Sequence, residues 1–182
     1  MNYAEIKNCD IANGPGVRIS LFVSGCTHHC PGCFNEVAWD FGYGRPFTED
    51  TIREILDMLK PHYIRGLTLL GGEPFEPRNQ GAVVELLRRV KEAYPGKSIW
   101  AFSGYLFDRD ILSGRLGDWG ITREYLSYLD VLVDGPFVEA KKNLSLRFRG
   151  SENQRIIDVP ASLASGTVVL WEDWQGDRKG MI

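Results

Sequence analysis

Residues Val17–Asn35 read VRISLFVSGCTHHCPGCFN. The first eight, Val17–Ser24, are β-branched or aromatic at near-alternate positions, which predicts a strand. That strand follows the turn NGPG and runs straight into a loop carrying Cys26, Cys30 and Cys33, three of the chain's 4 cysteines. A disulfide framework needs an even count, and a closed zinc site needs four ligands. Three thiolates from one short loop suit three irons of a four-iron cluster, and the fourth iron keeps an open coordination position. An open position distinguishes a reactive metal centre from a structural one. The glycine and proline of CPGC let the backbone bend tightly around a bulky group.

Outward from this stretch, helical and strand patterns alternate. Residues 48–61, TEDTIREILDMLKP, have an N-cap candidate at Thr48, apolar residues at Ile52, Ile55, Leu56 and Leu59, and a proline stop. They predict a helix. Residues 66–72, GLTLLGG, form a short apolar run ending in glycines, a buried strand. Residues 79–96 place Val83, Val84, Leu86, Leu87 and Val90 before a Pro-Gly stop, a second helix. Residues 98–104 and 130–135 read as strands, with a mostly helical stretch between them broken by glycines; 155–159 and 167–172 are two further strand candidates. Strands alternating with helices imply an α/β fold with a mostly parallel sheet and right-handed crossovers. A complete eightfold barrel needs about 250 residues. The 182 residues here allow five to six units, so an open partial (β/α) barrel or a doubly wound sheet is expected. The cysteine loop, GGEP, SGY and DGPF each follow the C-terminal end of a predicted strand. In parallel sheets those ends share one edge, where ligands bind.

No repeat, low-complexity tract or linker interrupts the chain, so residues 1–182 are expected to form one domain. Net charge is −3, with Lys and Arg spread along the sequence. No basic stripe points to nucleic acid and no polybasic segment to a membrane. Neither a secretory signal nor an apolar run of spanning length is seen, so a cytoplasmic location is expected. Reducing compartments disfavour structural disulfides, which turns clustered cysteines toward metal or catalysis. Two other readings stay open at this level. One is a zinc site completed by His28 or His29 in a non-catalytic interaction module; the other is a thiol cluster without metal. Cys9, upstream of Cys26, is a candidate fourth ligand, but it fits better an ordinary semi-buried thiol ahead of the first strand.

CTHHCPGC resembles the CxxxCxxC motif of the radical S-adenosylmethionine enzymes, and LTLLGGEP at the next strand end strengthens the resemblance. It implies that Cys26, Cys30 and Cys33 hold a 4Fe-4S cluster whose fourth iron is chelated by S-adenosyl-L-methionine. It also implies that Gly71, Gly72 and Glu73 meet the methionine amino group. Many members carry an aromatic residue just before the third cysteine. Here that place is Gly32, and Phe34 follows Cys33, so the Gly32 backbone and Phe34 are assigned to the adenine. NGPGVRISLFVSGC is similar to the entry segment of the glycyl radical enzyme activases. CPGCFN, SGY, VLVDGPF and RGSENQRIID are similar to the branch that serves anaerobic ribonucleoside-triphosphate reductase, and the likeness covers residues 11–158.

The resemblance implies an iron–sulfur oxidoreductase. An electron from the reduced cluster cleaves the sulfur–C5′ bond of S-adenosylmethionine, and the 5′-deoxyadenosyl radical removes a hydrogen from a backbone glycine. That glycine belongs to the glycyl radical subunit of the reductase, and flavodoxin or ferredoxin would be the electron donor. No acid–base residue is needed and none is nominated. A chain this short has little sequence left for a substrate domain, which suits an enzyme acting on another protein. Service to another glycyl radical enzyme, such as pyruvate formate-lyase, is the alternative within the class. Further assignments are Ser103 and Gly104 to the ribose and Asp134 to cofactor orientation or a cation. Arg147, Arg149 and Arg155 are assigned to the methionine carboxylate or the partner surface, and Trp171 and Trp174 to the core end or a docking patch. Residues 158–182 form a C-terminal extension of open role.

Overall fold

The computed structural model describes residues 1–172. In chain order the elements are β1 (Asn2–Asp10), β2 (Val17–Val23), β3 (Arg45–Pro46), α1 (Glu49–Leu59), β4 (Ile64–Gly71), α2 (Pro77–Ala93), β5 (Ser98–Ser103), α3 (Trp119–Tyr128), β6 (Val131–Asp134), β7 (Arg155–Asp158) and α4 (Val159–Ser165). They build an open sheet in the order β3-β1-β2-β4-β5-β6-β7. β2, β4, β5 and β6 are parallel neighbours, while β1, β3 and β7 pair antiparallel at the flanks.

The helices form where capping and periodicity predict. Thr48 and Thr51 exchange the reciprocal contacts of a capping box, Glu49 and Asp50 oppose the dipole in the first turn, and Ile52, Ile55 and Leu59 are buried. Pro77 starts α2, which buries Val83, Val84, Leu86, Leu87 and Val90. Asp118 caps α3 by accepting from the Ile121 amide. All three helices bury their apolar stripes in one cluster with Ile19, Leu21 and Val23 of β2, Leu67 and Leu69 of β4, Ile99 and Ala101 of β5 and Leu132 of β6. The helices therefore cover one face of the sheet. The opposite face carries a small cluster of Trp100, Val131 and Val133 with Phe102, Phe148, Ile156 and Trp171 against it.

Four expectations change. The winding is one-sided, not double, because strand order advances steadily from β2 to β6. Strand–helix–strand crossovers within the parallel block number three, through α1, α2 and α3, short of the five to six units expected. Asn2–Asp10, for which no strand was expected, forms β1: most of it is half-buried or exposed, so it shows no apolar period and owes its conformation to pairing with β2. Residues 167–172 supply one bridge, Leu170 to Ile157, where a strand was expected. Trp171 packs edge-on to Trp100 with ring centroids 5.0 Å apart, so it covers the core end. Trp174 lies outside the described residues.

Candidate metal centre

The parallel register lines up the strand ends: Val23 pairs with Gly71, Leu69 with Ala101 and Ser103 with Asp134. The loops that follow meet at one edge, as parallel topology requires. They surround a cavity of about 430 Å³ on the helix-free side, within the ordinary range for small-molecule sites. Cys26, Cys30, Gly32, Cys33, Phe34, Gly71, Gly72, Glu73, Ser103 and Gly104 all line it. The far wall comes from the β6–β7 segment, through Phe137, Leu144 and Phe148.

The loop owes its shape to a few close contacts. The Cys33 amide donates to the Cys30 carbonyl at 3.1 Å, with Pro31 second and Gly32 third at φ +72°, the arrangement of a type II turn. The Glu139 carboxylate packs on Gly32, where a Cβ would lie 2.9 Å from its carboxyl carbon. Upstream, Gly25 at φ +96° donates its amide to Ala38 O at 2.7 Å, and Phe41 covers it. The GGE segment docks directly on this loop: Gly72 N donates to Val23 O at 2.7 Å and Glu73 N to Gly25 O at 2.8 Å. A Cβ on Gly72 would sit 2.6 Å from Gly25 O. The paired glycines thus permit backbone to meet backbone.

Glu73 is 1% exposed, and all its acceptor positions are taken. Oε1 accepts from Phe75 N at 2.8 Å and Ser103 Oγ at 2.9 Å; Oε2 accepts from Gly104 N at 2.7 Å and pairs with His28 Nε2 at 3.0 Å. Within the protein it joins the ends of β4 and β5 to the cysteine loop. Burial opposes charge on His28, yet the hydrogen bond and charge of Glu73, with Glu76 beyond, raise its pKa above the ordinary value. Glu76, also buried, accepts from the amide and hydroxyl of Thr27, and Asn79 Nδ2 donates to Ser24 O at 3.0 Å and Glu73 O at 3.1 Å. Sequence reading missed Thr27, Glu76 and Asn79. The available signal was FEPRN beside GGE, polar side chains at the start of an amphipathic helix.

Cys26 is 8% exposed, and burial, with Glu73 and Cys30 nearby, pushes its thiol up to about 11 despite opposing amides of His28 and His29. Without metal it is a neutral thiol; a bound metal would displace its proton. Cys30 and Cys33 are half-buried. Among the described residues no group of three or more His, Cys, Asp or Glu is arranged around a single-ion position. Cys9 does not lie before the first strand as a semi-buried thiol: it is exposed within β1, with Sγ 3.4 Å from Asn8 Oδ1.

The remaining assigned residues divide between the cavity border and its surroundings. Asp134 does not line the cavity. Strand alternation puts it with Leu132 toward the helix-covered face, where its carboxylate accepts from Phe107 N at 2.7 Å and from Arg155 Nε at 2.9 Å. Arg155 is committed to that pair and to Asp108. Arg149 borders the cavity but donates to Gln154 O at 2.7 Å, and Arg147 lies over the Phe148 ring. Phe34, assigned to the adenine, is 87% exposed at the rim of the cavity. His29, at φ +47°, stacks on Trp39 with centroids 4.6 Å apart.

The chain matches the profile of a 4Fe-4S single cluster domain over residues 12–157, a span that contains every loop around the cavity. It is 42% identical over 158 residues to the anaerobic ribonucleoside-triphosphate reductase-activating protein of Enterobacteria phage T4, covering 86% of this chain and 93% of that protein. Its counterpart from Pasteurella multocida is 44% identical over 158 residues, covering 86% of this chain and 96% of the relative. The Escherichia coli K12 protein of the same name is 40% identical over 156 residues, covering 85% and 96%. Likeness at this level over nearly the whole of each relative makes the chain a member of the anaerobic ribonucleoside-triphosphate reductase-activating protein family.

Proposed function

We propose that this protein is a radical S-adenosylmethionine activase that installs a glycyl radical on anaerobic ribonucleoside-triphosphate reductase. The observation that carries the reading is the union of Cys26, Cys30 and Cys33 with Gly71 and Gly72 in one cavity at the carboxyl edge of a one-sided βα sheet, such as a slice of a (β/α) barrel has. Three soft thiol donors on one tight loop fit three irons of a 4Fe-4S cluster, and the cavity leaves room beside them. When bound, a 4Fe-4S cluster would supply the electron for reductive cleavage of S-adenosylmethionine. The chain's own residues hold and shape that site. Cys26, Cys30 and Cys33 would anchor the iron, and Gly71 and Gly72 keep the floor low enough for the methionine end to approach. Gly32, Phe34 and Ser103 border the nucleoside side. Asp134 is dropped from this set because its carboxylate is spent on Arg155.

Substrate access is through the open mouth, where Phe34 and Leu144 are 87% and 91% exposed, leaving room for a polypeptide segment of the reductase. The relatives' names support that partner over another glycyl radical enzyme. Flavodoxin or ferredoxin is the proposed reductant and the cytoplasm the proposed location; among the described residues no helix is long and apolar enough to cross a membrane. Residues 1–182 are read as one domain, with 158–182 as its extension. The zinc module is disfavoured because His28 is engaged by Glu73 and His29 by Trp39.

Anaerobically purified protein is expected to be brown with about four irons per chain. Mixed with reductant, S-adenosylmethionine and the reductase, it should yield a glycyl doublet in electron paramagnetic resonance. Alanine at Cys26, Cys30 or Cys33 should abolish both iron retention and the doublet, while Cys9→Ala leaves them intact. A colourless protein with one tightly held zinc, or loss of activity in the Cys9 variant alone, refutes the reading.

A further inference from the structure

Thr27, His28 and His29 separate Cys26 from Cys30, and each is held by a different element. Thr27 is bound by Glu76 at the start of α2, His28 by Glu73 after β4, and His29 by the ring of Trp39. His28 Nε2 faces the Glu73 carboxylate, its ring lies 4.3 Å from that of Tyr105, and it covers Gly104 so closely that a Cβ there would be 2.5 Å from the imidazole. Glu73 in turn takes Ser103 Oγ and Gly104 N from the end of β5. A single imidazole thus links the cysteine loop to the ends of two parallel strands.

We propose that His28 is a positioning residue of the metal centre: its Nε2–H bond to Glu73, and not metal ligation, sets the cysteine loop against the β4 and β5 ends that flank the cavity. This rests on the cluster reading above. In this arrangement the imidazole Nε2–H is the donor and the Glu73 carboxylate the acceptor. Deleting the donor leaves Oε2 of a fully buried carboxylate with Gly104 N as its sole partner, and it removes one of the three tethers on the loop between Cys26 and Cys30.

The test compares wild type, H28A and H28Q after anaerobic reconstitution. Glutamine's amide reaches about where Nε2 does and restores the donor without a metal-binding imidazole. Three readouts are taken: iron per chain, rate of iron loss to an external chelator, and the change in the reduced-cluster resonance when S-adenosylmethionine is added. Residues that orient metal ligands typically alter metal affinity by about 10- to 100-fold. H28A is therefore expected to lose iron at least about tenfold faster and to blunt the cofactor-induced spectral change, with H28Q near wild type. If H28A does not fold, H28Q alone decides, since it must hold iron as wild type does. H28A indistinguishable from wild type overturns the proposal, and so does H28Q releasing iron as readily as H28A, which would make the imidazole itself the requirement. Wild type without a four-iron cluster would sink the functional reading instead, so the two failures are distinguishable.

Discussion

Strand β2 has two buried faces of different chemistry. Toward the helices it turns Ile19, Leu21 and Val23; toward the other side it turns Arg18, Ser20, Phe22 and, just past its end, Ser24, all buried. The helix side is held by apolar contact, which is non-directional. The other side is held by aimed hydrogen bonds: Arg18 donates to Thr68 Oγ1 at 2.7 Å, Ser98 Oγ at 2.9 Å, Leu67 O at 2.8 Å and Ser98 O at 3.0 Å, stapling β2 to β4 and β5. Thr68 Oγ1 passes a bond on to Asn13 O, which borders the cavity. One face supplies stability, and the other fixes where loops stand. The proposed metal centre lies at the edge of the second.

The sharpest test of that division is Gly72→Ala. Its Cβ would lie 2.6 Å from Gly25 O and 2.9 Å from Ala38 O, both backbone atoms that cannot swing aside. The cysteine loop must move, and iron content is expected to fall to near zero while the apoprotein still unfolds cooperatively in a thermal melt. Full iron retention in this variant would mean that the GGE–loop contact does not shape the site.

Leu87→Ala probes the helix side. Truncating this fully buried side chain should cost about 3 kcal/mol, or roughly 10 °C of melting temperature for a chain of this size. Iron per folded chain should stay at the wild-type level; a parallel loss would show that the two faces are not separable.

Arg18→Met keeps much of the volume and removes the donors. Stranding the carbonyls of Leu67 and Ser98 should cost about 2 kcal/mol. Unlike Leu87→Ala, it should also raise amide hydrogen exchange in the segment around Asn13. Unchanged exchange there would reduce Arg18 to a packing residue.

Much of this was legible in sequence, and the misses share a cause. The helices and the parallel strands announce themselves by period, and the convergence of cysteines, GGE and SGY follows from parallel topology. β1 was invisible because an exposed antiparallel flank needs no apolar period. Residues 167–172 looked like a strand from composition alone, yet only Leu170 finds a bridge partner. Asp134 was assigned to the cofactor from its strand-end position, whereas alternation from Leu132 already turned it the other way.

By itself, the sequence determined which residues reach the site: three thiols on a tight turn, two glycines that admit close backbone approach, and strand ends brought to one edge. These are local matters of spacing, period and φ. Only the tertiary structure decided what each polar side chain is bonded to. It gave Glu73 four internal partners, committed His28 to Glu73 and His29 to Trp39, and closed Asp134 on Arg155. A hydrogen bond depends on positions a few ångströms apart in space and distant in sequence, and buried polar groups must be paired wherever the fold delivers a partner.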